Sequence, residues 1–155
     1  MIQRIQTIFL FAALALMVTM LLLPFAEIVG SDGGIYVFNS SGMSLAGVEG
    51  GTQILNAIPL SILIMALGAI LLVTIFLFRN RRLQMRFCTY AIILEFGLIG
   101  LGYFYFFLAF RDIEVSSYSF SLPLIMPVLS IILIYLAYRG IRKDDILIRS
   151  IDKIR

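Results

Sequence analysis

No histidine occurs in these 155 residues, and there is a single cysteine, Cys88. Those two absences exclude Cys/His zinc sites, histidine-based acid–base chemistry and any disulfide within the chain. Charge is also scarce. Only 14% of residues are Asp, Glu, Lys or Arg, against roughly a quarter in soluble domains. Hydrophobic residues make up 61%, and the mean hydropathy is +1.05. This is the composition of an integral membrane protein. The basic residues flank apolar runs and form no stripe among polar aromatics, so no nucleic-acid partner is expected. No nucleophile–base pair or metal-ligand cluster is visible, so the expectation is a protein without enzymatic activity or cofactor.

What the chain does contain is four long apolar runs, each near the roughly 20 helical residues needed to cross a bilayer. They lie at about 7–26, 59–78, 87–110 and 120–138. The last has a short apolar core, Leu122–Tyr138, so its helix is expected to begin in Ser119–Ser121. Helix is the choice because an isolated strand leaves backbone groups unpaired in lipid, and the runs lack the alternation of barrel strands. The first run follows a basic start, but it exceeds a signal-peptide core of 7–15 residues. A proline, Pro24, stands in the candidate cleavage site, so the run reads as an uncleaved anchor. The expected fold is a four-helix transmembrane bundle forming one membrane domain.

Basic residues orient these spans. Arg4, Arg79, Arg81, Arg82, Arg86, Arg139, Arg142, Lys143, Arg149, Lys153 and Arg155 are eleven of the twelve, and all fall on one side; only Arg111 falls on the other. The positive-inside rule then places both termini in the cytoplasm and segments 27–58 and 111–119 outside.

The first outside segment has no Lys or Arg from 28 to 56 and holds seven glycines. Within it, Ile35-Tyr36-Val37-Phe38, the turn-forming Asn39-Ser40-Ser41-Gly42 and Met43-Ser44-Leu45 predict a hairpin over 35–45. The other loop, 113–120, alternates apolar and polar with a slip at Ser116-Ser117, as at a bulge. Together they predict a small β-cap, with Gly47 to Thr52 as a connector. Pro59 and Pro123 suit first helical turns, whereas Pro127 is expected one turn deeper, bending the fourth span.

Beyond the fourth span, Leu147, Ile148, Ile151 and Ile154 form an apolar stripe with basic neighbours. This predicts an amphipathic cytoplasmic helix that lies on the membrane surface or docks on a partner. The opening Met1-Ile2-Gln3-Arg4-Ile5-Gln6-Thr7 and the closing Ile141-Arg142-Lys143-Asp144-Asp145 and Arg149-Ser150-Ile151-Asp152-Lys153-Ile154-Arg155 resemble those of a known family. It comprises small four-span membrane proteins of Bacteroidota and is classed as a domain of unknown function (family 4293). The resemblance spans the whole chain and implies a bacterial inner-membrane protein of four helices. It implies no activity and no site residues.

One residue stands out against this background. Glu95 lies in AIILEFGLIGLGYFYFFLAF, with no basic residue within eight positions on either side. It is nine residues past Arg86, about 13 Å deeper at 1.5 Å per residue. Acids at such depth are costly and face the bundle interior. Cys88, Ala91 and Gly102 share its helical face, forming a small-residue stripe that admits a neighbouring helix. Ser130 falls at the same depth on the fourth span, with Thr74 and Tyr135 shallower. Glu95 is therefore read as an interhelical contact to Ser130, Thr74 or Tyr135, as a contact to another subunit, or as a proton or cation site. The run Tyr103–Phe107 reads as lipid-facing. The expected function is an accessory or scaffold subunit of an inner-membrane complex, with lipid and other membrane subunits as partners. The alternative is a small proton- or cation-coupled transporter or channel using Glu95.

Overall fold

A computed structural model describes residues 2–31, 33–46, 53–112 and 115–152. Four long helices carry a small sheet at one end. They are α1 (Ile2–Leu22), α2 (Ile58–Phe76), α3 (Arg81–Asp112) and α4 (Met126–Asp152). The sheet comprises β1 (Ala26–Gly30), β2 (Ile35–Asn39), β3 (Gly42–Leu45), β4 (Gln53–Asn56) and β5 (Val115–Phe120), in the order β4-β3-β2-β1-β5. Every pairing is antiparallel. Because the strands connect α1 to α2 and α3 to α4, α1 and α3 run toward the sheet while α2 and α4 run away. Helices α1 and α3 each pack against both α2 and α4, so the bundle closes as a ring with α1 and α3 diagonal.

The inner faces of all four helices follow one spacing. Buried residues recur at Gln6, Leu10, Ala13, Met17 and Met20 on α1, and at Leu60, Ile64, Leu67, Leu71 and Thr74 on α2. On α3 they are Gln84, Cys88, Ala91, Glu95 and Leu98; on α4 they are Pro127, Ser130, Ile134, Ala137, Ile141 and Asp144. Steps alternating between three and four make a seven-residue repeat, which is the seam of a left-handed antiparallel bundle. The outer faces are as apolar as the seams, with Phe11, Met65, Phe96 and Ile132 all exposed. Apolar surface all round a helix suits lipid, and here the buried polar groups are inside. Three helices, at Ile5–Leu22, Ile58–Phe76 and Arg81–Arg111, are long and apolar enough to cross a membrane. In α4 the uncharged part is Met126–Tyr138, about 20 Å of helix.

The cap is larger than the sequence pattern predicts. The hairpin of β2 and β3 turns through Ser40-Ser41, pairing Asn39 with Gly42. Two further strands, β1 and β4, extend it, and β5 joins beyond β1. The slip expected at Ser116-Ser117 lies beside an observed register shift, at Val29/Gly30 opposite Ser117 and Val115. Strand β1 was hidden because Ala26 reads as the end of the first span; the helix stops at Leu22, and Pro24 separates it from Ala26. The Asp32-Gly33 pair between Val29 and Ile35 is a hairpin signal, and Gly33 adopts φ 77°. An aromatic joint ties cap to bundle. Phe38 of β2 meets Phe106 of α3 at 6.2 Å between ring centroids, and Phe106 meets Phe120 of β5 at 5.4 Å. Within the run expected to face lipid, Tyr103, Phe104 and Phe107 are exposed, but Phe106 is half-buried in this joint.

Three further expectations change at α4. The chain is extended through Phe120 and passes a 3-10 turn, Leu122–Leu124, so the helix starts at Met126 and not at Ser119–Ser121. Pro127 consequently occupies the first helical turn, where its missing N–H costs nothing, and not a position one turn deeper. The amphipathic tail is no separate element: α4 continues unbroken from Met126 to Asp152. Residues 47–52, 113–114 and Ile154 lie outside the described residues.

Candidate functional site

Glu95 and Ser130 occupy facing seam positions on α3 and α4, and both are fully buried. The Ser130 hydroxyl donates to Glu95 Oε1 at 2.5 Å. The second carboxyl oxygen, Oε2, is buried and has no hydrogen-bond partner among the described residues. Cys88, Ala91 and Leu98 flank Glu95 along the seam, so the small residues that let α4 approach are also what isolates the acid. Gly102, expected in the same stripe, is half-buried opposite Leu60.

The other two expected contacts do not form. Thr74 is buried on the α2 seam, but its hydroxyl donates to the Ile70 carbonyl of its own helix at 2.6 Å. Tyr135 is 55% exposed, one position past the buried Ile134 and so turned out of the bundle. Depth along the helix was a correct guide to Ser130. Tyr135 shows that depth alone does not specify a face.

A second polar cluster, at the end remote from the sheet, escaped the sequence reading. Each helix contributes one buried polar seam residue there: Gln6, Thr74, Gln84 and Asp144. Gln6 Nε2 donates to Asp144 Oδ2 at 2.8 Å, joining α1 to α4. Gln84 Nε2 donates to the Thr74 carbonyl at 3.1 Å, joining α3 to α2. Arg81 Nη1 lies 3.9 Å from Asp144 Oδ2, joining α3 to α4. Gly140 makes room for this arrangement, because a Cβ there would lie 2.8 Å from Gln6 Cγ. The available signal was the alternation of three- and four-residue steps itself, which runs Leu10 back to Gln6 and Ile141 on to Asp144.

Of the tail residues, Leu147 is exposed on α4; Ile148 and Ile151 lie on the same helix, with their side chains outside the described set. Among the described residues no group of His, Cys, Asp or Glu is placed to hold a metal ion. The buried polar groups can therefore join helices, and Glu95 retains one oxygen able to take a proton, a cation or a further donor. No curated protein matches the chain. A family model matches residues 2–154, and the chain belongs to that family, described as a domain of unknown function (DUF4293).

Proposed function

We propose that this chain is a non-catalytic four-span protein of a bacterial inner membrane, serving as an accessory or scaffold subunit of a membrane complex. In this reading α4 is the fourth crossing, with the 3-10 turn before it supplying the remaining depth. Both termini are cytoplasmic and the sheet lies on the opposite side, since among the described residues nine basic residues fall at the end remote from the sheet and Arg111 alone at the sheet end. The observation that carries the reading is how the interior polar groups are used. Ser130 to Glu95, Gln6 to Asp144 and Gln84 to Thr74 each join two helices. They form no continuous polar file: Cys88 and Ala91 separate Gln84 from Glu95 on α3, and Leu98 follows toward the sheet. Coupled transport relies on a lined pathway at the midplane. Partner surfaces are available in the sheet-edge strand β5, with exposed Tyr118 and Phe120, and in the end of α4.

A second reading rests on Glu95 Oε2, the buried oxygen with no partner among the described residues. It makes the protein a small proton- or cation-coupled transporter or channel using Glu95. Native mass spectrometry after mild detergent extraction, together with proton-flux assays on proteoliposomes, separates the two. A stoichiometric heteromer and no flux are expected. A monodisperse chain whose flux is abolished by Glu95→Gln, with folding intact, would replace the first reading by the second.

A further inference from the structure

A lateral cleft of about 700 Å³ opens beside α1 at the end remote from the sheet. Its apolar wall is Phe11, Ala12, Ala15 and Phe78, and its polar end is Gln6, Arg81 and Gln84. Phe11, Ala15 and Phe78 are exposed, so the cleft faces the surroundings of the bundle and not its interior. Gln6 to Ala15 measures about 13 Å along the helix. A cleft with an apolar run of that length and a cation at one end matches the division of a phospholipid into chain and headgroup. Charge selects the kind of lipid. Arg81 contacts Asp144 at 3.9 Å through one guanidinium nitrogen and is 22% exposed. A guanidinium has five N–H donors in a fork suited to phosphate, so that one contact leaves donors for a second anion. Asp144, itself held by Gln6, positions the arginine. Arg82 and Arg86 are exposed on the same helix and add to the positive charge at this end of the bundle.

We infer that this cleft holds one anionic phospholipid, its phosphate on Arg81 and an acyl chain along Phe11, Ala12 and Ala15. The inference rests on the membrane-spanning reading and adds a specific ligand to it.

The test uses the full chain purified in mild detergent doped with equal amounts of phosphatidylglycerol and phosphatidylcholine, with bound lipid read by native mass spectrometry. Retention of phosphatidylglycerol is expected to exceed phosphatidylcholine about fivefold, which corresponds to about 1 kcal/mol for one basic residue near a lipid surface. Arg81→Gln should abolish that preference, and Arg81→Lys should keep most of it. Ala15→Phe, at an exposed position, should reduce retention of both lipids while the circular-dichroism melt stays unchanged. Equal retention of the two lipids by the natural chain, or an unaltered preference in Arg81→Gln, would overturn the proposal. So would inorganic phosphate displacing no lipid yet stabilising the protein through Arg81, which would make the ligand a soluble phosphate. Carbonate washing of membranes keeps the two levels apart: release of the natural chain would defeat the membrane reading itself, whereas retention without lipid preference defeats only the lipid site.

Discussion

Removing the Ser130 hydroxyl is the sharpest perturbation of this bundle. Ser130→Ala takes away the donor to Glu95 Oε1 and leaves the fully buried carboxyl without a hydrogen bond, since Oε2 already has no partner among the described residues. An unsatisfied buried acceptor costs about 1–3 kcal/mol in soluble proteins. Interhelical hydrogen bonds in membranes couple more weakly, by about 0.6 kcal/mol on average and about 1.7 at most. The upper part of that second range applies here, because the contact is fully buried and has no alternative partner among the described residues. Ser130→Ala should therefore destabilise by about 1–2 kcal/mol. Glu95→Gln keeps an oxygen facing Ser130 and should cost less. Glu95→Leu combined with Ser130→Ala removes both polar groups at similar volume and should be near neutral, as when both partners of a buried bond become apolar. A double-mutant cycle on Glu95→Leu and Ser130→Ala, measured by reversible unfolding in mixed micelles, checks this directly. The expected coupling is about 1 kcal/mol or more. Additive single effects would refute the view that this pair holds α3 to α4.

Gly42 sits at φ 142°, and a Cβ there would collide with the Leu55 carbonyl of β4. Gly42→Ala should destabilise by more than the roughly 1 kcal/mol typical of a backbone mismatch, lower the thermal midpoint accordingly, and loosen amide protection in β3 and β4 first. Asp144→Ala removes the acceptor of Gln6 and the neighbour of Arg81, at an expected cost of about 2 kcal/mol for a bond to a charged group. The same melts measure it, and a change within error would show that the far-end cluster is incidental. Topology is checked with single cysteines in a Cys88→Ser background. A membrane-impermeant maleimide added outside should label Ser116→Cys and spare Lys143→Cys, and the reverse pattern would invert the orientation.

The sequence is legible where chemistry is strongly one-sided. Long apolar runs bounded by arginines mark where the four helices lie, although α3 begins six residues before its run and α4 six residues after, and a carboxylate nine residues deep implies a contact to a neighbouring helix at matching depth. That ground put Ser130 among three candidates, with Thr74 and Tyr135, and the structure pairs Ser130 with Glu95. What stayed hidden has a common cause. When every face of a helix is apolar, hydrophobic periodicity no longer marks the inside, so Tyr135 and Ser130 look equally eligible though they point opposite ways. Here the inside is marked by polar and small residues at alternating three- and four-residue steps, Gln6, Gln84, Glu95 and Asp144 among them. Strand β1 was masked because the apolar run of the first span reads on through Phe25 and Ala26 into the start of the strand.

The sequence by itself determined the membrane-like composition, the helices, the asymmetry of charge between their ends and the presence of one isolated acid. These follow from transfer free energies and charge counts, which need no knowledge of neighbours. Only the tertiary structure decided which faces meet, that Glu95 spends one oxygen on Ser130, and that four distant polar residues converge at the end remote from the sheet. Such pairings depend on how the helices rotate about their axes, and that rotation is settled by packing across the whole ring.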